Sequence, residues 1–230
     1  MPDPAPTILL TRPRAQSLRF AEGLTGVKLV ISPVLEIVHL PFATDVRTYD
    51  GLIFTSENGI RAAAANSDLK GLTGYAVGER TADVGAEFGM TLRAAAGSAD
   101  DLVASILADR PVGPLLHLHG AHSRGDVAKR LKSAEIETDS VVVYDQKACP
   151  LSAEALAILD ETGVVIVPLF SPRTAALLGQ MFQGARAGLV LIGISAAALQ
   201  AWTGPKPLRQ AVARAPTAEA MRQEILRHIR

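Results

Sequence analysis

The sequence has little cysteine, few aromatic residues and no excess of charge of either sign. Its single cysteine, Cys149, cannot form an internal disulfide, so we expect a reducing, cytoplasmic compartment. The 23 Lys and Arg residues balance 23 Asp and Glu residues, which argues against a nucleic-acid or membrane-surface partner. No apolar run reaches the roughly 18 residues of a membrane span, and no signal peptide is expected.

Several catalytic and cofactor motifs are also missing from the sequence. The turns at Gly78 and Gly193 lack the further glycines of a dinucleotide-binding turn, and no Gly-Lys-Ser or Gly-Lys-Thr phosphate loop occurs. His117, His119 and His122 form the one histidine cluster, without Cys, Asp or Glu ligands at zinc spacing. We therefore expect neither a cofactor nor a metal, and no Ser–His–Asp set can be identified from spacing.

Short apolar runs alternate with helical patterns along the chain, which indicates parallel α/β sheets covered on both faces. The predicted strands are 7–10, 28–31, 52–55, 74–77, 115–118, 164–169 and 189–192. The predicted helices are 13–24, 58–65, 79–88, 101–108, 124–134, 153–161, 172–182, 195–202 and 217–228. Two β-rich stretches, 35–40 and 140–146, do not lead straight into a helix and are predicted to be linker strands.

A strand-exit motif occurs twice and indicates two related α/β halves. Ser56 follows the strand Gly-Leu-Ile-Phe-Thr, and Gly78 lies 22 positions later; Ser171 and Gly193 repeat this spacing. Two kinds of segment therefore alternate along the chain. The first kind covers about 7–40 and 115–146, and the second kind covers 51–95 and 164–230. We predict one domain from residues 1–35 plus 147–230 and a second from 41–139, with linker strands at 36–40 and 140–146.

In parallel α/β sheets, ligands bind beyond the carboxyl ends of the strands. The residues there are mostly glycines, hydroxyls and cations at helix starts, which attract anions through free backbone N–H groups. A plainer interpretation is that the hydroxyls only cap helices and that the arginines are surface cations. The repeated arrangement favours an anion site, whose predicted residues are Arg12, Thr55, Ser56, Asn58, Gly78, Thr81, Ser171, Arg173, Gly193 and Ser195.

Tyr144 is the most suggestive single residue because it ends a linker strand, where two domains should meet. Its phenol could donate a proton or a hydrogen bond, or its ring could simply pack at an interface.

Pieces spread along nearly the whole chain resemble uroporphyrinogen-III synthase. They are Leu10-Thr-Arg-Pro13, Tyr49-Asp-Gly-Leu-Ile-Phe-Thr-Ser56, Ala76-Val-Gly-Glu-Arg-Thr-Ala82, Tyr144, Phe170-Ser-Pro-Arg-Thr-Ala175 and Ile192-Gly-Ile-Ser195. The resemblance implies two flavodoxin-like domains joined by a two-stranded β linker, with the active cleft between them.

The same resemblance implies a cofactor-independent lyase of haem, chlorophyll and cobalamin biosynthesis. Its substrate, hydroxymethylbilane, carries eight carboxylates and could be handed over by hydroxymethylbilane synthase; the enzyme is expected to be a monomer. Tyr144 is the implied acid, and Thr81 and Ser171 are implied cleft residues. Ser195 departs from the family pattern Gly-Pro-Thr-Thr, since this chain has Gly193-Ile-Ser-Ala.

Two other functions fit the same halves. A two-domain binding protein could close on an anionic ligand without chemistry. A nucleotide-using transferase is disfavoured by the missing phosphate loop.

Overall fold

The computed structural model describes residues 6–123 and 125–229. Its strands are β1 (Thr7–Leu10), β2 (Lys28–Ile31), β3 (Leu35–His39), β4 (Gly51–Phe54), β5 (Thr73–Ala76), β6 (Thr91–Ala94), β7 (Leu115–Gly120), β8 (Thr138–Ala148), β9 (Val164–Leu169), β10 (Gly188–Gly193) and β11 (Arg209–Val212). Its α-helices are α1 (Arg14–Ala21), α2 (Glu57–Ala64), α3 (Glu79–Glu87), α4 (Ala99–Asp109), α5 (Val127–Ser133), α6 (Ala153–Asp160), α7 (Pro172–Met181), α8 (Ala196–Gln200) and α9 (Ala218–Arg227). A short 3₁₀ helix covers Val46–Thr48.

The chain forms two compact units, each built on its own sheet. The split unit combines Met1–Glu36 with Lys147–Arg230, and the middle unit runs from Ile37 to Gln146. The split unit has a five-stranded sheet in the order β11-β10-β9-β1-β2, all pairs parallel. This is the 2-1-3-4-5 order of flavodoxin-like sheets.

The middle unit has the same layout, made from chain segments in the opposite order. Its sheet runs β3-β8-β7-β4-β5-β6, and the β8 to β6 part is parallel throughout. Reading both sheets from the same side, β2-β1-β9-β10-β11 corresponds to β8-β7-β4-β5-β6. The repeat predicted from the serine motifs is therefore visible in the topology, with α2 corresponding to α7.

The two linker strands adjoin each other. β3 lies beside β8. Leu40 N donates to Val143 O (2.8 Å), and Cys149 N donates to Val34 O (3.0 Å). From Val34 to Leu40 the residue number rises along the first strand, while the bonded residue on the second strand falls from Cys149 to Val143. This is the pattern of an antiparallel pair.

Each sheet is covered by an apolar layer on both faces, because successive side chains of a strand point to opposite sides. In the split unit Leu9 packs with the α6 and α7 layer, whereas Ile8 and Leu10 pack with α1 and α9. In the middle unit Leu116 and Leu118 pack with α2 and α3, and Leu115 packs with α4 and α5. Such alternation explains why the central strands contain long apolar runs.

The strands predicted from apolar runs are all present, but β6 and β11 were not predicted. Both are edge strands of their sheets, at corresponding positions, and neither has a buried residue: β6 alternates exposed with partly buried residues, and three of the four residues of β11 are exposed. Thr-Leu-Arg-Ala and Arg-Gln-Ala-Val therefore contain no apolar run to detect. The helix predicted from residue 13 to 24 already ends at Ala21, and Arg124, the predicted start of α5, lies outside the described residues.

Gly74 is required by the close approach of β4 and β5. A Cβ added at Gly74 would lie 1.9 Å from Leu52 O, which belongs to the backbone of the paired strand. Backbone atoms in a sheet cannot move aside cheaply, so we predict that Gly74→Ala lowers the free energy of unfolding by about 3 kcal/mol or more. Urea unfolding followed by circular dichroism measures this.

Gly163→Ala is the matched control. A Cβ at Gly163 meets no atom within 4 Å, so this variant should stay within about 0.5 kcal/mol of the parent protein. Equal unfolding midpoints for the two variants would contradict the packing account of Gly74.

Candidate functional site

The carboxyl ends of the parallel strands meet at one edge of each sheet, here called the carboxyl edge. In open α/β sheets the favoured site is the switch point, where helices from adjacent strands leave on opposite faces. In the middle unit α2 follows β4 onto one face, and α5 follows β7 onto the other. The switch point therefore lies between β4 and β7, next to Thr55, Ser56 and Gly120.

Ser56 caps α2 and also contacts Tyr144. Asn58 N donates to Ser56 Oγ (3.2 Å), which satisfies one orphan N–H of the first turn. Ser56 also hydrogen-bonds the phenol, and this bond lowers the pKa of Tyr144. A hydrogen bond to the phenol oxygen has that effect because it stabilises the phenolate form. The Ser56 hydroxyl can accept from Asn58 N and bond the phenol at the same time, since it has one proton and two lone pairs.

Tyr144 lies at the carboxyl edge with its ring over Gly120. Its side chain is only 8% exposed, and a Cβ at Gly120 would lie 2.5 Å from the ring atom Cζ. Burial raises the pKa of Tyr144, more than the bond from Ser56 lowers it. The phenol is therefore protonated at neutral pH.

The start of α3 lies beside the start of α2. Gly78 is the N-cap of α3, and Thr81, in its first turn, is 6% exposed. Arg80 pairs with Glu57 in the first turn of α2, with 3.4 Å between Nη2 and Oε2. The acid at the start of α2 is thus partly neutralised by a cation at the start of α3.

Two histidines of β7 lie on the α4 and α5 side of the switch point. The His117 and His119 ring centroids are 4.6 Å apart, and Thr55 Oγ1 lies 3.4 Å from His117 Nε2. His117 is 3% exposed; burial, and secondarily the charge of His119, lowers its pKa to about 3. His122 pairs instead with Asp145, with 3.4 Å between Nε2 and Oδ1.

In the split unit the switch point lies between β1 and β9, next to Arg12 and Ser171. The Arg12 guanidinium carbon lies 4.4 Å from the centre of the Phe170 ring, and Nε donates to Gln16 Oε1 (3.1 Å). The ring and the amide hold this cation in a defined place at the end of β1.

The serines of the split unit cap their helices, as Ser56 does. Thr174 N donates to Ser171 Oγ (3.1 Å), and Ala198 N donates to Ser195 Oγ (3.3 Å). Arg173 is partly buried in the first turn of α7, and Gly193 ends β10 fully within the core. Neither α7 nor α8 has an acidic residue in its first turn, whereas α2 and α3 have Glu57 and Glu79. The positive end of the helix dipole is therefore not offset by a nearby carboxylate at α7, and α7 should attract anions more strongly than α2 or α3.

The structure therefore places the predicted residues in two groups, one at each carboxyl edge. The middle unit contributes Thr55, Ser56, Asn58, Gly78, Thr81 and Tyr144, and the split unit contributes Arg12, Ser171, Arg173, Gly193 and Ser195. Their binding of a substrate stays a prediction. Sequence reasoning missed the contacts of Tyr144 with Gly120 and of His117 with Thr55, because both depend on strand register rather than on any local motif.

A groove of about 360 Å³ lies at the opposite edge of the middle unit. It is lined in part by Asp50, Tyr75, Arg93 and Asp109. Arg93 already pairs with Asp109, and Tyr75 hydrogen-bonds the same carboxylate. Arg93, Tyr75 and Asp109 thus already bind one another, which leaves fewer polar groups for a ligand in the groove than at the carboxyl edge.

Within residues 6–123 and 125–229, no group of three or more His, Cys, Asp or Glu side chains could hold a metal ion. Over the same residues, no helix has the length and apolar character needed to cross a membrane.

The buried His117 makes stability depend on pH. Its pKa is lowered in the folded protein, so between about pH 6.5 and pH 3 the unfolded chain binds a proton that the folded chain does not. Stability is therefore lost as the pH falls through this range, by about 1.4 kcal/mol per pH unit from this group. We predict that His117→Gln flattens the dependence of unfolding free energy on pH between 6 and 4, measured by urea unfolding.

His39, exposed on β3, supplies the control. His39→Gln should keep the slope of the parent protein. If His117→Gln also kept that slope, His117 would not be held uncharged by burial.

Comparison with known proteins places these observations in a family. Residues 21–223 match the model of the family described as uroporphyrinogen-III synthase HemD. No curated protein matched the chain.

Solved structures share the fold at low sequence identity. A uroporphyrinogen-III synthetase from Helicobacter pylori 26695 aligns with a TM-score of 0.71 and 19% identity, covering 99% of this chain and 100% of that one. A mutant uroporphyrinogen III synthase from the extremely thermophilic bacterium Thermus thermophilus aligns with a TM-score of 0.52 and 17% identity, covering 97% and 98%. With the family match over most of its length, the chain belongs to the uroporphyrinogen-III synthase family, whose members are hydro-lyases of tetrapyrrole biosynthesis.

Proposed function

We propose that this protein is a uroporphyrinogen-III synthase, converting linear hydroxymethylbilane into uroporphyrinogen III with loss of water and inversion of ring D. The family match over residues 21–223 carries the proposal. The substrate has eight carboxylates, which fits carboxyl edges built from helix starts, hydroxyls and cations.

The reaction begins when the C–O bond of the hydroxymethyl group breaks and hydroxide leaves. The electron pair of the pyrrole nitrogen forms an azafulvene, and the departing hydroxide takes a proton to become water. The substituted carbon of ring D attacks the azafulvene carbon to give a spiro intermediate. The spiro intermediate then fragments, and ring D recloses inverted; the proton that its carbon loses replaces, through solvent, the proton given to hydroxide. The substrate supplies all the electrons, so the protein needs no strong nucleophile and no cofactor.

Tyr144 is the proposed donor to the departing hydroxide. Burial raises the pKa of Tyr144, which keeps the phenol protonated, and a phenol is a stronger acid than water. Proton transfer to hydroxide is therefore favourable once the C–O bond breaks. The hydrogen bond with Ser56, which lowers the pKa of the phenol, stabilises the phenolate that forms.

The remaining predicted residues act by positioning. Inverted closure must be faster than direct closure, which requires that the flexible bilane be held in one conformation. The proposed contacts are the N–H groups at the starts of α2, α3, α7 and α8, with their capping residues, and Arg12 and Arg173. These groups are fixed by the fold and need no reorganisation during the reaction.

An isomer assay tests the function. Hydroxymethylbilane closes to the type I isomer without an enzyme, so incubation with the protein, oxidation and chromatographic separation should give type III in excess. Only type I, at the rate of a blank without protein, would contradict the proposal. Tight binding of uroporphyrin together with that result would favour a non-catalytic binding protein.

Tyr144→Phe tests the proposed donor. We expect kcat to fall by about 10- to 100-fold with a change in unfolding free energy of about 1 kcal/mol, since one hydrogen bond is lost. Tyr75, on β5, supplies the control. Tyr75→Phe also loses a phenol hydrogen bond, in this case the one to Asp109. Equal kcat values for the two variants would remove Tyr144 from the donor role.

A further inference from the structure

The two carboxyl edges can be compared residue by residue through their strand registers. Ile8 of β1 pairs with Ile166, five positions before the cap residue Ser171. Leu115 of β7 pairs with Gly51, five positions before the cap residue Ser56. Ile8 and Leu115 are therefore equivalent, and so are the residues four positions later, Arg12 and His119.

Arg12 and His119 also lie on equivalent faces. Arg12 contacts Phe170, which packs with Ile8 and Leu10 on the side opposite the α7 layer. His119 follows Leu115 and His117 on the side opposite the α2 layer. Each unit thus has a basic side chain at the end of the strand that borders its switch point.

The ring of His119 has a defined orientation. Its Nδ1 lies 2.9 Å from Gly120 O, and a carbonyl oxygen only accepts, so Nδ1 carries a proton. Nε2 is then the ring atom left to meet a ligand. His119 is partly exposed, unlike His117, so a ligand at the carboxyl edge can reach it.

One neighbour, His117, packs against this ring. The two ring centroids are 4.6 Å apart, and His117 is itself held within 3.4 Å of Thr55 Oγ1, just after the other strand of the switch point. Because burial keeps His117 uncharged, it supports the ring without adding a second positive charge.

We propose that His119 is the carboxylate-positioning residue of the middle unit, the counterpart of Arg12, with its ring packed against His117, which in turn contacts Thr55. When its ring is protonated, Nε2 donates a charge-assisted hydrogen bond to one substrate carboxylate. This inference rests on the proposed function and adds a residue to it. His119 acts on a carboxylate and not on the reacting carbon, so it governs binding more than turnover.

Kinetics of His119 variants test the proposal. We expect His119→Ala to raise KM for hydroxymethylbilane at least about tenfold with kcat within about threefold of the parent. His119→Gln, which keeps an N–H donor, should recover part of the loss. His39→Ala, a change at an exposed histidine of the same unit, should leave KM unchanged.

A binding measurement separates this inference from the proposed function. Uroporphyrin III quenching titrations should show a weaker Kd for His119→Ala by a similar factor, with unchanged melting temperatures. A KM and a Kd within twofold of the parent would overturn the role of His119, as would equal losses in His39→Ala. If the parent protein forms no type III isomer, the proposed function fails first, whereas type III formation with unaffected His119 variants contradicts only the inference.

Discussion

The parallel pairing of the central strands is the constraint on which the structure depends. Every pair from β2 to β11 in the split unit, and from β8 to β6 in the middle unit, runs in the same direction. All their carboxyl ends therefore meet at one edge, and each following helix begins there with its N–H groups unpaired by the helix itself. Serine caps satisfy one such group each, and the others remain suited to a ligand with many carboxylates.

Each unit has its own carboxyl edge, and the two edges differ in charge. The same spatial order of strands arises from chain segments in swapped order. At equivalent positions the split unit has Arg12 and the middle unit has His119. The middle unit places Glu57 and Glu79 in its first helical turns, while α7 has no acid there. Tyr144 lies on β8, the strand that leads out of the middle unit. We therefore propose that the proton transfer takes place in the middle unit and that the split unit attracts the substrate carboxylates more strongly.

Sequence patterns predicted the central strands and the serine caps because those features are local. An apolar run predicts a strand buried on both faces, and a hydroxyl before a helical pattern predicts a cap. The edge strands β6 and β11 lack such runs, since at least half of the residues in each strand are exposed. The contacts of Tyr144 with Ser56 and Gly120, and of His117 with Thr55, join distant segments through register. Propensity and spacing carry no information about such register. The domain boundaries and the binding roles of the site residues remain proposals.

We propose that a ligand binds at the carboxyl edge of the middle unit and not at the opposite edge, where the groove beside Asp50 and Arg93 lies. Hydrogen–deuterium exchange of the full chain, with and without uroporphyrin III, distinguishes the two edges. We expect slower exchange in peptides covering residues 55–60 and 117–121, and no change in residues 109–114. Protection confined to residues 109–114 would show that the ligand binds in the groove instead.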